Sequence, residues 1–490
     1  MNVILRQSLA NTLLTYIGFA LGGLNYTVLY LRFMSDAYFG LVGVLLSTAA
    51  LLTPLMSFGI PNALVKFYSD REDQRYRNQL LTFSLILPLL ISLPLAGISS
   101  IANEAIGAFM ARRNPIVRDY VWHIFLIGLG SAYFEVFFAW GKVKLKSVFG
   151  TFLKEVFIRL GVTILLFLLH FGFLNEASFL IALVLFYLIR TLLMLFYGYK
   201  LQPISLDLKL PEGWRNMLKY SLLIIIGGSV SVLLLEVDRF MINQYVSIEN
   251  VAYYSLAIFI ATVIIVPWRA MHQITYPLTA KLMSANDQIA LKTLYQKSSL
   301  NLFLVSGYIF LLLVLNLTAI YQLVPESYRE GALVVVIIGG VKIYDSFLGI
   351  NTSILYNSKF YLNLLGTGVA LAVLTVVFNS YFIPRFGIIG AAYATALAVF
   401  LYNTYKLLFV WIKLGLHPFS IKVFWVLALG VGVGVLCNLL PNDLHPLWVI
   451  CLRGIFITLI FGGCLWFLKL SEEFNQLMTK ILERLRPRKL

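Results

Sequence analysis

Apolar runs of about twenty residues recur along this chain, separated by short polar segments. Crossing the hydrocarbon of a bilayer takes about 20 residues of helix, so each run predicts a membrane-spanning helix. Seven lie in the first half, at Ser8–Leu31, Leu41–Val65, Gln79–Ala102, Tyr120–Ala139, Gly150–Phe171, Ala177–Tyr197 and Tyr220–Gln244. Seven more follow, at Val251–Arg269, Ser298–Tyr321, Gly331–Tyr356, Tyr361–Ile383, Ile388–Trp411, Lys422–Leu440 and Leu447–Leu468. The expected fold class is all-α integral membrane, with fourteen transmembrane helices.

Charge gives the threading. With the N-terminus inside, 27 of the 38 Lys and Arg fall on cytoplasmic segments and their flanks. Lys66, Lys142, Lys154, Lys200, Lys281 and Lys406 are in that set. The other face holds 6, namely Arg32, Arg112, Arg113, Arg118, Arg329 and Arg385. Basic loops stay inside, and an even number of spans puts both termini on one side, the cytoplasmic one. Behind Ser471, Phe474, Leu477, Met478, Ile481, Leu482 and Leu485 recur at helical spacing. Arg484, Arg486, Arg488 and Lys489 close this tail, which predicts a basic amphipathic helix lying on the inner lipid surface.

Composition agrees. The chain is 60% hydrophobic and 12% charged, with mean hydropathy +0.87, far from what a soluble chain of this length needs. The net charge of +16 follows from the inside loops and needs no nucleic-acid partner. Cys437, Cys451 and Cys464 have neither zinc nor redox spacing. The first apolar run lacks a small-residue cleavage site and reads as a retained span.

The two halves echo one another at an offset of about 213 residues, as transporter repeats do. Pro54 inside span 2 matches Pro267 inside span 8, Pro61 has a looser counterpart in Pro277, and Lys66 matches Lys281. Phe171-Gly172 precedes span 6 as Phe386-Gly387 precedes span 12. Six spans per unit make the repeat parallel. The expected organisation is an N-lobe at 1–200, a cytoplasmic linker at 201–218 and a C-lobe at 219–413. Spans 13 and 14 follow at 414–470, and the tail at 471–490. Prolines at matched positions of interrupted helices point to kinks or gates on a transport path, which nominates Pro54, Pro61, Pro267 and Pro277.

Three segments resemble a known family. Tyr38-Phe39-Gly40-Leu41 with Ser57-Phe58-Gly59-Ile60-Pro61-Asn62-Ala63 is similar to the first two spans of polysaccharide-biosynthesis flippases of the Wzx type. Val237-Asp238-Arg239-Phe240-Met241-Ile242 followed by Val251-Ala252-Tyr253-Tyr254-Ser255 resembles their spans 7 and 8. Phe382-Ile383-Pro384-Arg385-Phe386-Gly387-Ile388-Ile389-Gly390 resembles their turn between spans 11 and 12. The resemblance implies the multidrug/oligosaccharidyl-lipid/polysaccharide exporter superfamily, with two lobes around a cavity that opens alternately to either side. It implies a bacterial inner-membrane protein that flips undecaprenyl-pyrophosphate-linked oligosaccharide for lipopolysaccharide or related glycans. Expected partners are that substrate, membrane lipids, glycosyltransferases and a polymerase. Lipid II flippases of the superfamily carry arginines within span 1, whereas Arg32 stands only at its end here.

Ionisable groups inside lipid cost about 2.5–3.5 kcal/mol each on insertion scales, so each needs a reason. A sugar pyrophosphate calls for cations, and Arg190, Lys342 and Arg269 are the phosphate candidates. Glu135, Asp345 and Asp238 are the carboxylates that could take a coupling proton or sodium ion. Glu155 with Arg159, Glu236 with Arg239, and Lys342 with Asp345 stand three or four apart and could equally be local ion pairs. No cofactor is expected. A drug–cation antiporter of the same fold is the nearest alternative. A membrane polymerase, ligase or glycosyltransferase is the other, and it would need a larger external loop than Asn103–Asp119. No P-loop, HExxH or G-x-S-x-G occurs. The charge count makes one firm prediction: reporter fusions after Asn175 and Asn442 read periplasmic, and those after Gln74, Pro211 and the C-terminus read cytoplasmic. A periplasmic C-terminus breaks the fourteen-span threading.

Overall fold

The computed structural model describes residues 3–68, 73–203, 205–441 and 443–485. These residues form helices joined by short turns, in a fourteen-span all-α membrane architecture. Among the described residues, nine helices are long and apolar enough to cross a bilayer, and Ile421–Cys437 is a shorter apolar one. The remaining spans are interrupted or more polar. Span 5 runs as Val148–Phe152, a π turn at Leu153–Phe157, and Ile158–His170. Span 10 is Gly331–Phe347 followed by Asn351–Tyr356.

Helix starts are set by side chains that accept orphan backbone N–H groups. Asp73 caps span 3 through the N–H groups of Arg75 and Tyr76, and Asn175 caps span 6 through Ser178. Asp287 caps span 9 through Ala290, so that helix begins at Gln288, ten residues before the apolar run that predicts it. Hydropathy stops at Lys297 and Lys292, whereas the backbone ladder continues into the polar flank. Span 8 likewise continues past Arg269: a 3-10 turn at Val263–Ile265 leads into Val266–Ser284. Pro267 stands in the first turn of that second helix, where its missing N–H loses nothing. Span 2 ends at Ser57 because Phe58 and Gly59 are left-handed, with φ of 48° and 63°. Pro61 then opens the short helix Ile60–Phe67.

Spans 11 and 12 join in one helical stretch, Tyr361–Leu414, of 54 residues. Unbroken, it would reach about 80 Å, far beyond a bilayer. The break is Gly387, at φ 55° and ψ −134°, a backbone state that glycine alone enters at low cost.

The chain divides into two compact units, Met1–Leu256 with Gly368–Ala391, and Ala257–Thr367 with Ala392–Leu490. In the first, span 4 (Val121–Val143) packs against span 6 (Glu176–Leu201) and span 2 (Asp36–Ser57). Phe134, Phe137, Trp140, Met194, Leu80 and Leu153 form one buried cluster there. Lipid tails are as apolar as these side chains, so the gain comes from close packing more than from leaving water. Small residues permit that closeness. A β-carbon on Gly40 would fall on the carbonyl oxygen of Ile248, and one on Gly43 would meet Val251 at 2.9 Å. The linker is strapped to span 3: Gln79 donates to Asp207 at 3.0 Å, and the Asp207 N–H donates to Thr82 at 3.1 Å. The backbone N–H of Lys209, with Gln79, holds the Asp207 carboxyl below the usual carboxylate range.

In the second unit, span 9 carries spans 13 and 14 through Phe303, Val426, Val433, Ile457 and Phe461. Arg453 is buried, and it donates to the Leu315 carbonyl at 2.7 Å, closing the C-terminal end of span 9. The tail helix Glu472–Leu485 is anchored at its start by Lys297, 2.8 Å from Glu472. Arg486, Arg488 and Lys489 lie outside the described residues.

Gly40 offers a test of this packing. Gly40→Ala should cost about 1–3 kcal/mol as backbone is forced apart, seen as a lower melting temperature of the detergent-solubilised protein. Gly97→Ala, where nothing lies within 4 Å, should not lower it. Equal melting temperatures for the two variants would remove the close contact from the argument.

Candidate functional site

The first unit holds a cavity of about 880 Å³. Span 2 gives it Pro54 and Ser57, and the short helix after the break gives Pro61, Asn62 and Lys66. Glu135 and Lys142 come from span 4, Lys154, Glu155 and Arg159 from span 5, Tyr187 and Arg190 from span 6. Span 7, Trp214–Tyr245, adds Tyr220 and Glu236. The π turn of span 5 lets the consecutive residues Lys154 and Glu155 both reach the cavity. Such turns recur at functional sites.

Charge in this wall is sorted. Each carboxylate has a cation: Glu135 with Lys154 at 2.6 Å, Glu155 with Arg159 at 2.7 Å, Glu236 with Arg239 at 2.6 Å. Three cations meet no carboxylate within ion-pair distance among the described residues. Lys66 lies 4.0 Å over the Tyr220 ring, and Lys142 lies 4.2 Å over Phe138. Arg190 is 6% exposed, between the rings of Phe134 at 4.2 Å and Tyr187 at 4.7 Å. Its Nη2 donates to Ser131 at 3.2 Å, and its buried Nε has no partner among the described residues. An aromatic face is worth about 0.5–2 kcal/mol to a cation without neutralising it; Arg190 is the buried one of the three, and Lys66 and Lys142 are exposed. The wall is thus net positive, with a planar guanidinium in place for a bidentate oxyanion.

Of the residues nominated from sequence, Arg190, Glu135, Pro54 and Pro61 line this cavity. Asp238 does not. It is buried at 3% exposure, accepting from the Tyr254 hydroxyl and, at 2.7 Å, from the Asn379 amide. Lys342 and Asp345 belong to the second unit, 4.0 Å apart. Arg269 is exposed there, on the helix that Pro267 opens and in which Pro277 is internal. Lys66, Lys142 and Lys154, read from sequence as loop cations, were the residues missed. Two of them carried a signal: Lys154 falls inside the apolar run of span 5, and Lys66 matches Lys281 in the repeat. Lys406 needs the opposite correction to its loop assignment, because it is 6% exposed inside the second unit. Its helix runs on to Leu414 and packs that stretch against other helices.

A family model for polysaccharide biosynthesis proteins matches residues 4–283. This chain belongs to that family. An uncharacterized membrane protein of Methanocaldococcus jannaschii is 26% identical over 353 residues, 67% of this chain and 66% of that protein. The chain thus spans just under two thirds of that relative's length. Among solved structures, lipid II flippase MurJ in an inward closed conformation superposes with TM-score 0.72 and 14% identity. That match covers 94% of this chain and 99% of MurJ. An inward-facing multidrug resistance MATE family transporter of the MOP superfamily gives 0.60 at 14% identity, covering 85% and 96%. At these identities the likeness is one of fold, and it is the fold of flippases and transporters.

The cavity of this family member makes a binding prediction. Inorganic pyrophosphate should raise the melting temperature of the purified protein beyond a salt control. Arg190→Gln should weaken that binding about tenfold or more, since a charge-assisted hydrogen bond is worth about 1.5–3 kcal/mol. An unchanged pyrophosphate response in Arg190→Gln would show that the cavity is no anion site.

Proposed function

We propose that this protein flips undecaprenyl-pyrophosphate-linked oligosaccharide from the cytoplasmic to the periplasmic leaflet of a bacterial inner membrane. The observation that carries this reading is the trio Lys66, Lys142 and Arg190 on the wall of a polar cavity, with no carboxylate within ion-pair distance among the described residues. A pyrophosphate and several sugars cannot cross hydrocarbon, because each polar group would lose its water. A cavity that supplies cations to the phosphates and hydroxyls and amides to the sugar replaces that water. The prenyl tail stays in lipid. Alternation between two packings of the lobes, 1–200 and 219–413, then carries the head across.

The positive-inside assignment makes Lys66, Lys142 and Lys154 the cytoplasmic end of the wall, where the substrate would enter. The substrate leaves chemically unchanged, so the protein acts as a carrier and not an enzyme. Glycosyltransferases that build the repeat unit and a polymerase that consumes it are its functional partners. A drug–cation antiporter is the second reading, since MATE transporters share the fold. A net positive wall repels a hydrophobic cation and favours an anion, which ranks that reading lower.

Deleting the gene should make a complete lipid-linked repeat unit accumulate on the cytoplasmic leaflet while the surface glycan disappears. Arg190→Ala and Glu135→Gln should lower complementation without lowering protein level. Loss of an enzyme would leave a truncated or unligated glycan, and loss of a drug antiporter would change only dye sensitivity. Intact surface glycans, with no other flippase present, would sink the carrier reading.

A further inference from the structure

The second unit contains a buried amine that the cavity does not use. Lys406 stands eight residues before the end of its helix at Leu414, about 12 Å along the axis. Its Nζ donates to the Thr352 hydroxyl at 3.3 Å and lies 4.5 Å over the Tyr402 ring. An ammonium has three donors to satisfy, and no carboxylate is within ion-pair distance among the described residues. The one acidic residue of 331–414 is Asp345. Its Oδ1 accepts from Asn403 at 2.6 Å, and its Oδ2 lies 4.0 Å from Lys342.

Two amines therefore share one carboxylate. With all three ionised the cluster would hold a surplus positive charge inside the bundle, an expensive state. With one amine uncharged it is neutral. The arrangement can also switch. Asn403 and Lys406 are three apart and share a face of their helix, so the carboxylate that Asn403 holds is within reach of the Lys406 side chain.

The titratable and charged groups around Lys406 come from four elements. Span 9 supplies Tyr295, whose hydroxyl accepts from Asn351 at 2.7 Å. Span 10 supplies Lys342, Asp345 and Tyr344, the last bonded to Thr404 at 3.0 Å. The helix Asn351–Tyr356 supplies Tyr356, and span 12 supplies Tyr402. None of the tyrosines provides a second negative charge, so the cluster has one anion to allot between two amines.

We propose that Lys406 binds the coupling proton, and that Asp345 is the carboxylate it shares with Lys342. The uncharged amine rests on Thr352 while Asp345 stays with Lys342 and Asn403. Taking up one proton from water turns the amine into an ammonium, with no other reactant, and the ammonium draws Asp345 towards span 12. Protonation thereby exchanges one link between spans 10 and 12 for another. Its use in transport rests on the carrier reading; the proton site itself does not.

The test has two parts. Infrared difference spectra of the purified full-length protein between mildly acidic and mildly alkaline buffer should show a shift of one carboxylate band. That band should be absent in Asp345→Asn. Lys406→Met, never charged, and Lys406→Arg, always charged, should both lose the shift, and Lys342→Arg should keep it. A shift that persists in Lys406→Arg, or no shift in the wild type, overturns the proposal. In proteoliposomes, lipid-linked oligosaccharide extracted from the deletion strain serves as the probe. Wild-type flipping should respond to an imposed pH gradient, and Lys406→Arg should lose that response. Wild-type protein that moves no oligosaccharide while showing the infrared shift would refute the carrier reading and leave the proton site standing.

Discussion

A charge or backbone polar group inside hydrocarbon has no water to fall back on, so the protein itself must satisfy it. Most features of this chain are answers to that demand. Glu155 and Glu236 take arginines one turn away on their own helices, at 2.7 and 2.6 Å. Arg453 closes the end of span 9 on a carbonyl. Asn25 does similar work within the first unit, donating at 2.9 Å to the carbonyl of Arg159, just past the π turn of span 5. Where the demand is met, a polar residue is scaffold. Arg190 and Lys406 are the buried positions where it is met by aromatic faces and a hydroxyl.

The same demand shapes the helices. A span can be broken only where something else takes up the freed groups, and the breaks here coincide with polar chemistry. The turn at Phe58 and Gly59 sets the helix that carries Asn62 and Lys66 to the cavity. The π turn of span 5 brings Lys154 and Glu155 there together. Regular spans such as Glu176–Leu201 supply single residues, in that case Tyr187 and Arg190 on one face. Irregular backbone at membrane depth is tolerated where it borders a cavity.

A wall of matched and unmatched charges also fits a carrier better than a tight binder. Carboxylates already holding their own cations offer an anion no strong repulsion. Three aromatic-backed cations offer attraction without the depth of a fully enclosed ion pair. On the proposed carrier reading the substrate leaves on the far side, so a site of intermediate strength is the useful one.

The sequence by itself determined the membrane class, the fourteen spans and the family, because apolar run length and turn chemistry are local properties. Gly387 shows this: the Pro-Arg-Phe-Gly pattern marks the turn between spans 11 and 12, and the backbone there adopts a state that favours glycine. The i,i+3 and i,i+4 pairs were legible for the same reason, since helix geometry alone brings their partners together. Tertiary structure alone decided which cations face a cavity. Lys142 carries the charge that cytoplasmic loops carry, and nothing in its neighbours along the chain separates the two roles. Glu135 meets Lys154 from another span, nineteen residues on, and Asp238 meets Asn379 across 141 residues. Lys406 reads as an inner-face lysine until the packing of its helix puts it out of water. Hydropathy records what each residue prefers, whereas its partner is chosen by which helices pack side by side.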